Sequence, residues 1–425
     1  MRNQCFRLAT LMILLLLTRG GTQTPDWLHI HGLIGQGFMM SSANNYFMDT
    51  KDGSVEFNEA AINFTVQIGP RLRGGMQFFS RDFGPNGNNE IFLDWGYLDY
   101  RWNDYLGFRA GKIKRPSGFY NTIRDIDALR TFVLLPQGVY DESIRDFTMS
   151  AQGASVYGNI PLGFAGDLDY EGYYGISNMD PDRSFTKDLF SGIASDIGFG
   201  IYMQMLSMGN LPQGAVLNTN VQNASNKMKH SEGLALVWNT PLNGLRLGAT
   251  RMMGQTRQSA TFNYHMLMQN VTITQVTIPF VSKVKFKALD VYSAEFLWNN
   301  LSLAGEYLFM DREITSEGKK RPALKQSSYY GQASYRFTSW LEAGTYYSVL
   351  YPDADDKEGE HYDDAKYRAW QKDLCFTLRF DLNDRWLMKF ETHFMDGTAQ
   401  LSESLNPGGC DRDWQLYAVK TSIIF

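Results

Sequence analysis

The chain has 425 residues and a net charge of −5, a balance that gives nucleic acid no basic surface to bind. Mean hydropathy is −0.31, and beyond Leu17 no apolar run approaches the roughly 20 residues that a membrane-spanning helix needs. Tyr (23), Phe (28) and Gly (39) are abundant against 13 Pro, a mixture that suits pleated strands carrying aromatic belts.

Arg2 and Arg7 flank the start of an almost unbroken apolar stretch, Leu8 to Leu17, with the length of a secretory h-region. We therefore expect a signal peptide over 1–23, cleaved within Gly20 to Thr24, and one exported domain over 24–425. Cys5 precedes the apolar run and is no lipoprotein cysteine. Cys375 falls mid-strand and Cys410 in a loop, so the two are read as unpaired.

Downstream, segments of alternating apolar and polar residues recur along the chain, as in transmembrane strands. The pattern predicts strands at 27–40, 55–69, 71–83, 89–102, 105–114, 148–159, 163–177, 231–240, 245–257, 286–298, 301–314, 326–337, 340–351, 368–381, 385–398 and 413–425. Short links such as Gly69-Pro70, Asn103-Asp104, Pro241 to Gly244 and Asn299-Asn300 have hairpin chemistry and alternate with long polar loops. The fold class expected is all-β: a transmembrane antiparallel β-barrel of 16 strands, closed because lipid cannot hydrate a free sheet edge. An extra strand pair within 178–230 would make it eighteen. Ile62, Phe64 and Val66, Tyr329 and Tyr335, and Trp386, Phe390 and Phe394 are expected to face lipid. Asn63 and Thr65, Gln332 and Arg336, and Lys389, Glu391 and His393 face inward.

A sixteen-stranded barrel leaves an aqueous lumen. The third outer loop, from Arg115 to Glu142, is the candidate to narrow it, because Phe132-Val-Leu-Leu135 has little reason to sit outside. Folded back on the wall, this extracellular loop would bring Arg115, Arg124, Asp125, Asp127, Arg130, Asp141 and Glu142 to the constriction. The third strand adds Arg73 and Arg81 to the lining, the fifth Lys112 and Lys114, and the seventh Asp167 and Asp169. Basic and acidic walls facing each other would set up a transverse field. The cluster Arg73, Lys112, Lys114 and Arg115 suggests mild anion preference.

Two segments carry a family resemblance. Gly111-Lys-Ile-Lys-Arg-Pro-Ser-Gly118, followed by Leu135-Pro-Gln-Gly-Val-Tyr-Asp-Glu142, resembles the Gram-negative porin superfamily that includes the phosphate-selective porins. The resemblance implies a homotrimer with three pores and makes Lys112, Lys114 and Arg115 cations at the root of the constriction loop. No dense ladder of inward arginines is apparent, a departure from the anion-specialised members. The last strand, Tyr417 to Phe425, resembles the terminal strand of outer-membrane proteins, which implies that Phe425 is an assembly signal read by the barrel-assembly machinery.

The six histidines fall in no hydrolase or zinc-protease motif. The chain is read as no enzyme, with no metal and no cofactor. The first strand follows the leader directly and leaves no room for a plug domain. The expected function is a passive diffusion channel for small hydrophilic solutes, anions among them, across the outer membrane of a Gram-negative bacterium. The alternative is a capped or adhesive outer-membrane barrel, with 178–230 as the cap.

Overall fold

The computed structural model describes residues 25–179, 184–209, 216–268 and 271–425. The expected leader and its cleavage site lie outside the described residues. Sixteen strands form one antiparallel sheet that closes where β1 (Leu28–Ser41) pairs β16 (Asp413–Ile424), from Leu33 opposite Ile424 to Ser41 opposite Leu416. Between them run β2 (Phe57–Gln67), β3 (Leu72–Phe83), β4 (Asn86–Asn103), β5 (Leu106–Lys114), β6 (Ser150–Pro161) and β7 (Asp167–Met179). After a helix come β8 (Val216–Asn239), β9 (Leu245–Met268), β10 (Val271–Trp298) and β11 (Leu301–Ser316). The circuit ends with β12 (Leu324–Arg336), β13 (Leu341–Tyr351), β14 (Gln371–Asn383) and β15 (Trp386–Gly397). A two-residue piece, Lys319–Lys320, folds back on the tip of β11.

Closure satisfies the backbone without an edge, and the two faces of the sheet then divide by polarity. Phe64, Tyr329, Tyr335, Phe390, Phe394 and Ile423 point out. Lys389, Glu391, His393 and Lys420 point in and are buried. Many of the buried polar and apolar side chains lie inside the barrel, against the third outer loop.

Three expectations are corrected. The stretch 178–230 holds no strand pair among its described residues; it holds the helix α1, Ser184–Ser207, and the start of β8. The region expected as a loop between 257 and 286 is strand, because β9 and β10 run on to a hairpin in which Met268 opposes Val271. Beyond the membrane these strands no longer alternate against lipid. Leu217, Val221, Phe262, Tyr264 and Phe280 pack instead on Phe190, Ala194 and Ile197 of α1, so lipid-face periodicity cannot find them. The third correction lies in β5. Gly111 sits at φ +135°, a conformation that L side chains rarely adopt. Arg109, Gly111 and the fully buried Ile113 share the inward parity and pair with β4 and β6 there without a register shift. Ala110 and Lys112 therefore have the outward parity, and only Lys114, at the strand end, turns in to Asp125. The inward phase expected from Lys112 and Lys114 is one residue out in this strand.

Candidate pore constriction

The link from β5 to β6, residues 115–149, folds into the lumen. Phe132, Val133, Leu134 and Leu135 are each at most 3% exposed. Val133 and Leu134 join Met39, Tyr46, Phe57 and Leu416 in one apolar cluster, while Phe132 packs on Tyr346 and Cys375. Burying such side chains contributes about 1.5–3 kcal/mol each. Ordering backbone costs about 1–2 kcal/mol per residue. Four side chains alone do not hold a loop of this length, and the remainder is polar.

Carboxylates supply it from both sides. On the loop, Asp127 accepts from Lys389 Nζ at 3.0 Å, Lys420 Nζ at 3.2 Å, Arg130 at 3.1 Å and Ser422 Oγ at 2.8 Å. Burial pushes this carboxyl up, but the lysines and Arg130 outweigh it and hold it well below the usual carboxylate range. Glu142 takes Arg81 at 3.0 Å and Arg124 at 2.6 Å. Against the effect of burial, Arg124, Arg81 and Arg145 hold its pKa at about 2. Asp125 accepts from Lys114 at 3.1 Å and Gln77 at 2.6 Å.

The wall carboxylates hold the loop in turn. Glu391 accepts the Val133 and Leu134 amides at 2.6 and 3.0 Å. Glu306 accepts the Phe119 amide at 2.8 Å, Tyr330 Oη at 2.8 Å, Ser293 Oγ at 2.5 Å and the Tyr140 hydroxyl. Asp94 pairs Arg145 through both oxygens at 3.0 Å.

Of the expected lining residues, the structure brings together Arg81, Lys114, Arg124, Asp125, Asp127, Arg130 and Glu142 in these contacts. The others lie apart. Arg115 is buried, donates to the Thr148 carbonyl and lies against the sulfurs of Met228 and Met252. Lys112 donates to the Leu93 carbonyl, beside the Phe92 ring. Asp141 accepts from Ser143 N and Oγ at 2.8 and 2.6 Å. Asp167 and Asp169 accept from the amides of Asn159 and Asn239.

Beside the first turn of the loop, on the side of the tight turns, an open cavity of about 390 Å³ remains. Arg109 lines it, stacked 3.9 Å from the Tyr157 ring and paired with Glu171 at 2.8 Å. Arg246 lies 4.3 Å over the Phe119 ring. In three inward pairs, Arg73–Asp99, Arg246–Glu295 and Arg336–Glu342, the guanidinium side is 52%, 38% and 34% exposed and the carboxylate side 2%, 8% and 10%. In these pairs acid and base are neighbours, Asp99 lying between Arg73 and Arg109. Inward arginines do exist, with Arg73, Arg109, Arg246 and Arg336 on four separate strands. Arg109 escapes a reading that takes Lys112 and Lys114 as the inward phase of β5, and the others stand one per strand. Glu306, Glu391, Lys389 and Lys420 were missed as loop anchors, although inward parity alone marks all four.

A closed, even-stranded antiparallel barrel with tight turns at one end, an ion-paired interior and a loop folded into it has the fold of the outer-membrane porin-type barrels. The solved structures it is similar to agree on that fold. Outer-membrane expressed OmpT of Vibrio cholerae superposes with a TM-score of 0.54 at 10% identity, over 95% of this chain and 100% of that one. Salmonella typhi OmpF gives 0.54 at 12% identity over 94% and 97%. An anion-selective porin from Comamonas acidovorans gives 0.50 at 10% identity over 94% and 99%. No protein-family model matches the sequence, and no curated protein matches it.

Proposed function

We propose that this protein is a passive diffusion channel for small hydrophilic solutes, with a mild preference for anions, and that residues 115–149 form its constriction. One observation carries the reading. At Arg73, Arg246 and Arg336 the solute meets a guanidinium group while the paired carboxylate is tucked behind it. Such pairs are neutral overall yet present their positive end to the lumen, which favours anions without a net positive wall. The segment Gly111 to Gly118, taken with these arginines, supports the finer resemblance to phosphate-selective porins.

A homotrimer is part of the proposal. The outward face of β9 and β10 carries the pair Arg251–Asp290 at 2.7 Å among Leu234, Leu247 and Tyr292. Charge facing lipid is costly, so this patch is where a neighbouring copy would sit. The test is single-channel current of the refolded protein in a planar bilayer under a salt gradient. Steps in triplets with a reversal potential of anion sign support the channel and the trimer. A silent membrane from a folded barrel overturns the channel.

A second reading, a barrel capped at its outer mouth, has one observation in its favour. Helix α1 packs on the extensions of β8–β10, and its Asp188 accepts from Ser402 and Ser404 in the last outer loop at 2.8 and 2.9 Å. A silent barrel that conducts once 184–207 is deleted would establish that reading.

A further inference from the structure

Cys375 and His393 are direct cross-strand partners on β14 and β15, both facing the lumen and both fully buried. Glu391 precedes His393 by one inward position, and Asp373 precedes Cys375 in the same way. His393 Nε2 lies 3.3 Å from Glu391 Oε2 and 4.0 Å from Cys375 Sγ. Its other nitrogen, Nδ1, lies 3.0 and 3.1 Å from the two oxygens of Asp373. The donor atoms of Cys375, Glu391 and His393 fall within 4.8 Å of one another. The Phe132 ring and Tyr346 close the cluster off.

A thiol, an imidazole and a carboxylate also make up a nucleophile site, but this cluster cannot serve as one. Phe132 lies over it, and no substrate reaches a sulfur with no exposed surface. Storage of an apolar thiol is the opposite case, and it does not explain why the imidazole is turned by Asp373 so that Nε2 faces both the sulfur and Glu391. We propose that Cys375, His393 and Glu391 form a structural site for a divalent, borderline-soft cation such as Zn²⁺.

The spacing fits such an ion. With sulfur about 2.3 Å and nitrogen about 2.0–2.1 Å from a tetrahedral centre, sulfur and nitrogen stand roughly 3.6 Å apart, and nitrogen and oxygen roughly 3.3 Å. The sulfur–nitrogen pair must close by about 0.4 Å. Sulfur and carboxylate, now within 4.8 Å, must come to roughly 3.6 Å, which a turn of the Cys375 or Glu391 side chain supplies. Asp373 is the outer carboxylate that fixes the ring and its tautomer, an arrangement that metal-bound imidazoles usually show. Binding displaces the protons on Sγ and Nε2 to solvent. The two negative donors then offset the ion's charge, which is what a dry site requires. Because Glu391 also accepts the Val133 and Leu134 amides, the ion would tie the constriction loop to the wall.

The test uses the full chain with the other two thiols removed, C5S/C410S, refolded with Co²⁺ and freed of loose metal by gel filtration. Barrel formation is read separately by heat-modifiable gel migration. The expected result is one Co²⁺ per folded chain with a thiolate-to-cobalt charge-transfer band. Cys375→Ser should abolish the band. Asp373→Asn keeps all three ligands, so it should keep the band while weakening affinity about 10–100-fold. It also serves if Cys375→Ser does not fold. A folded C5S/C410S barrel with no band overturns the proposal. So does equal Co²⁺ uptake by Cys375→Ser, or an affinity that Asp373→Asn leaves unchanged.

Discussion

Lys389 and Lys420 are direct cross-strand partners on β15 and β16, and the carboxylate of Asp127 from the inward loop stands between their ammonium groups at 3.0 and 3.2 Å. Like charges placed opposite each other on a sheet are destabilising, and both lysines are buried. The two strands are therefore completed by the loop. Lys420 also pairs Glu59 of β2, so one set of contacts joins the loop to both sides of the barrel seam.

Removing the charge of Asp127 should release that set. Breaking a buried pair by deleting one partner costs about 3–5 kcal/mol, since the other charge is left uncompensated. We expect Asp127→Asn to fold into a barrel that unfolds at lower denaturant and to conduct more current per channel, because the loop no longer holds to the wall. The double variant Asp127→Asn/Lys420→Met should recover part of the lost stability, Lys389 keeping the carbonyls of Asp127 and Phe132. Denaturant midpoints and single-channel currents of the three proteins check this. An unchanged conductance in Asp127→Asn would remove the loop from the constriction.

The same anchors set an acid limit. Glu142 has a folded pKa of about 2 against an ordinary 4.5, and Asp127 is displaced in the same direction. A depressed carboxylate pKa contributes stability that is fully present above the unfolded value and lost as pH falls through the folded one. Loop anchoring should hold unchanged down to pH of about 4.5 and fail progressively toward 2. Conductance recorded from neutral pH downward should be flat and then rise or become noisy below about 4. A transition near pH 6 would point to a different group.

Ion preference should follow exposed guanidinium groups and ignore buried cations. Arg246→Gln leaves Glu295 without its partner at the cavity and should move the reversal potential toward cations. Lys114→Gln touches a cation already spent on Asp125 inside the protein and should move it less. Reversal potentials of the two variants under one salt gradient rank them. The opposite ranking would return selectivity to the fifth strand, where the sequence places it.

Much of this barrel is legible from residues alone, since strand ends are marked by turn chemistry and lipid imposes a strict two-residue period. The reading fails where that physics stops acting. In β5 Lys112 and Lys114 suggest an inward phase one residue out, because Arg109 and the buried Ile113 set the true parity and Lys114 turns in only at the strand end. In β8–β10 the strands leave the membrane, and their apolar residues answer to a helix. Within the lumen, parity tells that Glu306, Lys389 and His393 face inward. It does not tell which of them meet the loop, because those contacts join residues far apart in the chain.

Gly111 gives a stability prediction of its own. A Cβ there would stand 2.4 Å from the Gly96 carbonyl oxygen, and the φ of +135° is itself unfavourable for a side chain. Gly111→Ala should lower folding yield and the urea midpoint, whereas Ala110→Gly next to it should cost little beyond about 1 kcal/mol of strand propensity. If both behave alike, the backbone conformation at Gly111 is not required for the barrel.

Phe425 separates folding from assembly. Its amide donates to the Gly32 carbonyl at 3.0 Å, its carbonyl accepts from the Gly32 amide at 2.8 Å, and its ring covers Gly32 so closely that a Cβ there would meet the ring at 2.3 Å. As a closing contact it is one ring on a seam already paired from Leu33 to Ser41. Its loss should therefore change the stability of refolded protein only modestly. If the terminal aromatic is instead read by the assembly machinery before the barrel closes, Phe425→Ala should sharply reduce the amount reaching the outer membrane of cells while refolding in detergent proceeds almost normally. Gly32→Ala, which displaces the ring but leaves it available, should show the reverse. Equal losses in both assays for Phe425→Ala would make the residue a structural clasp and nothing more.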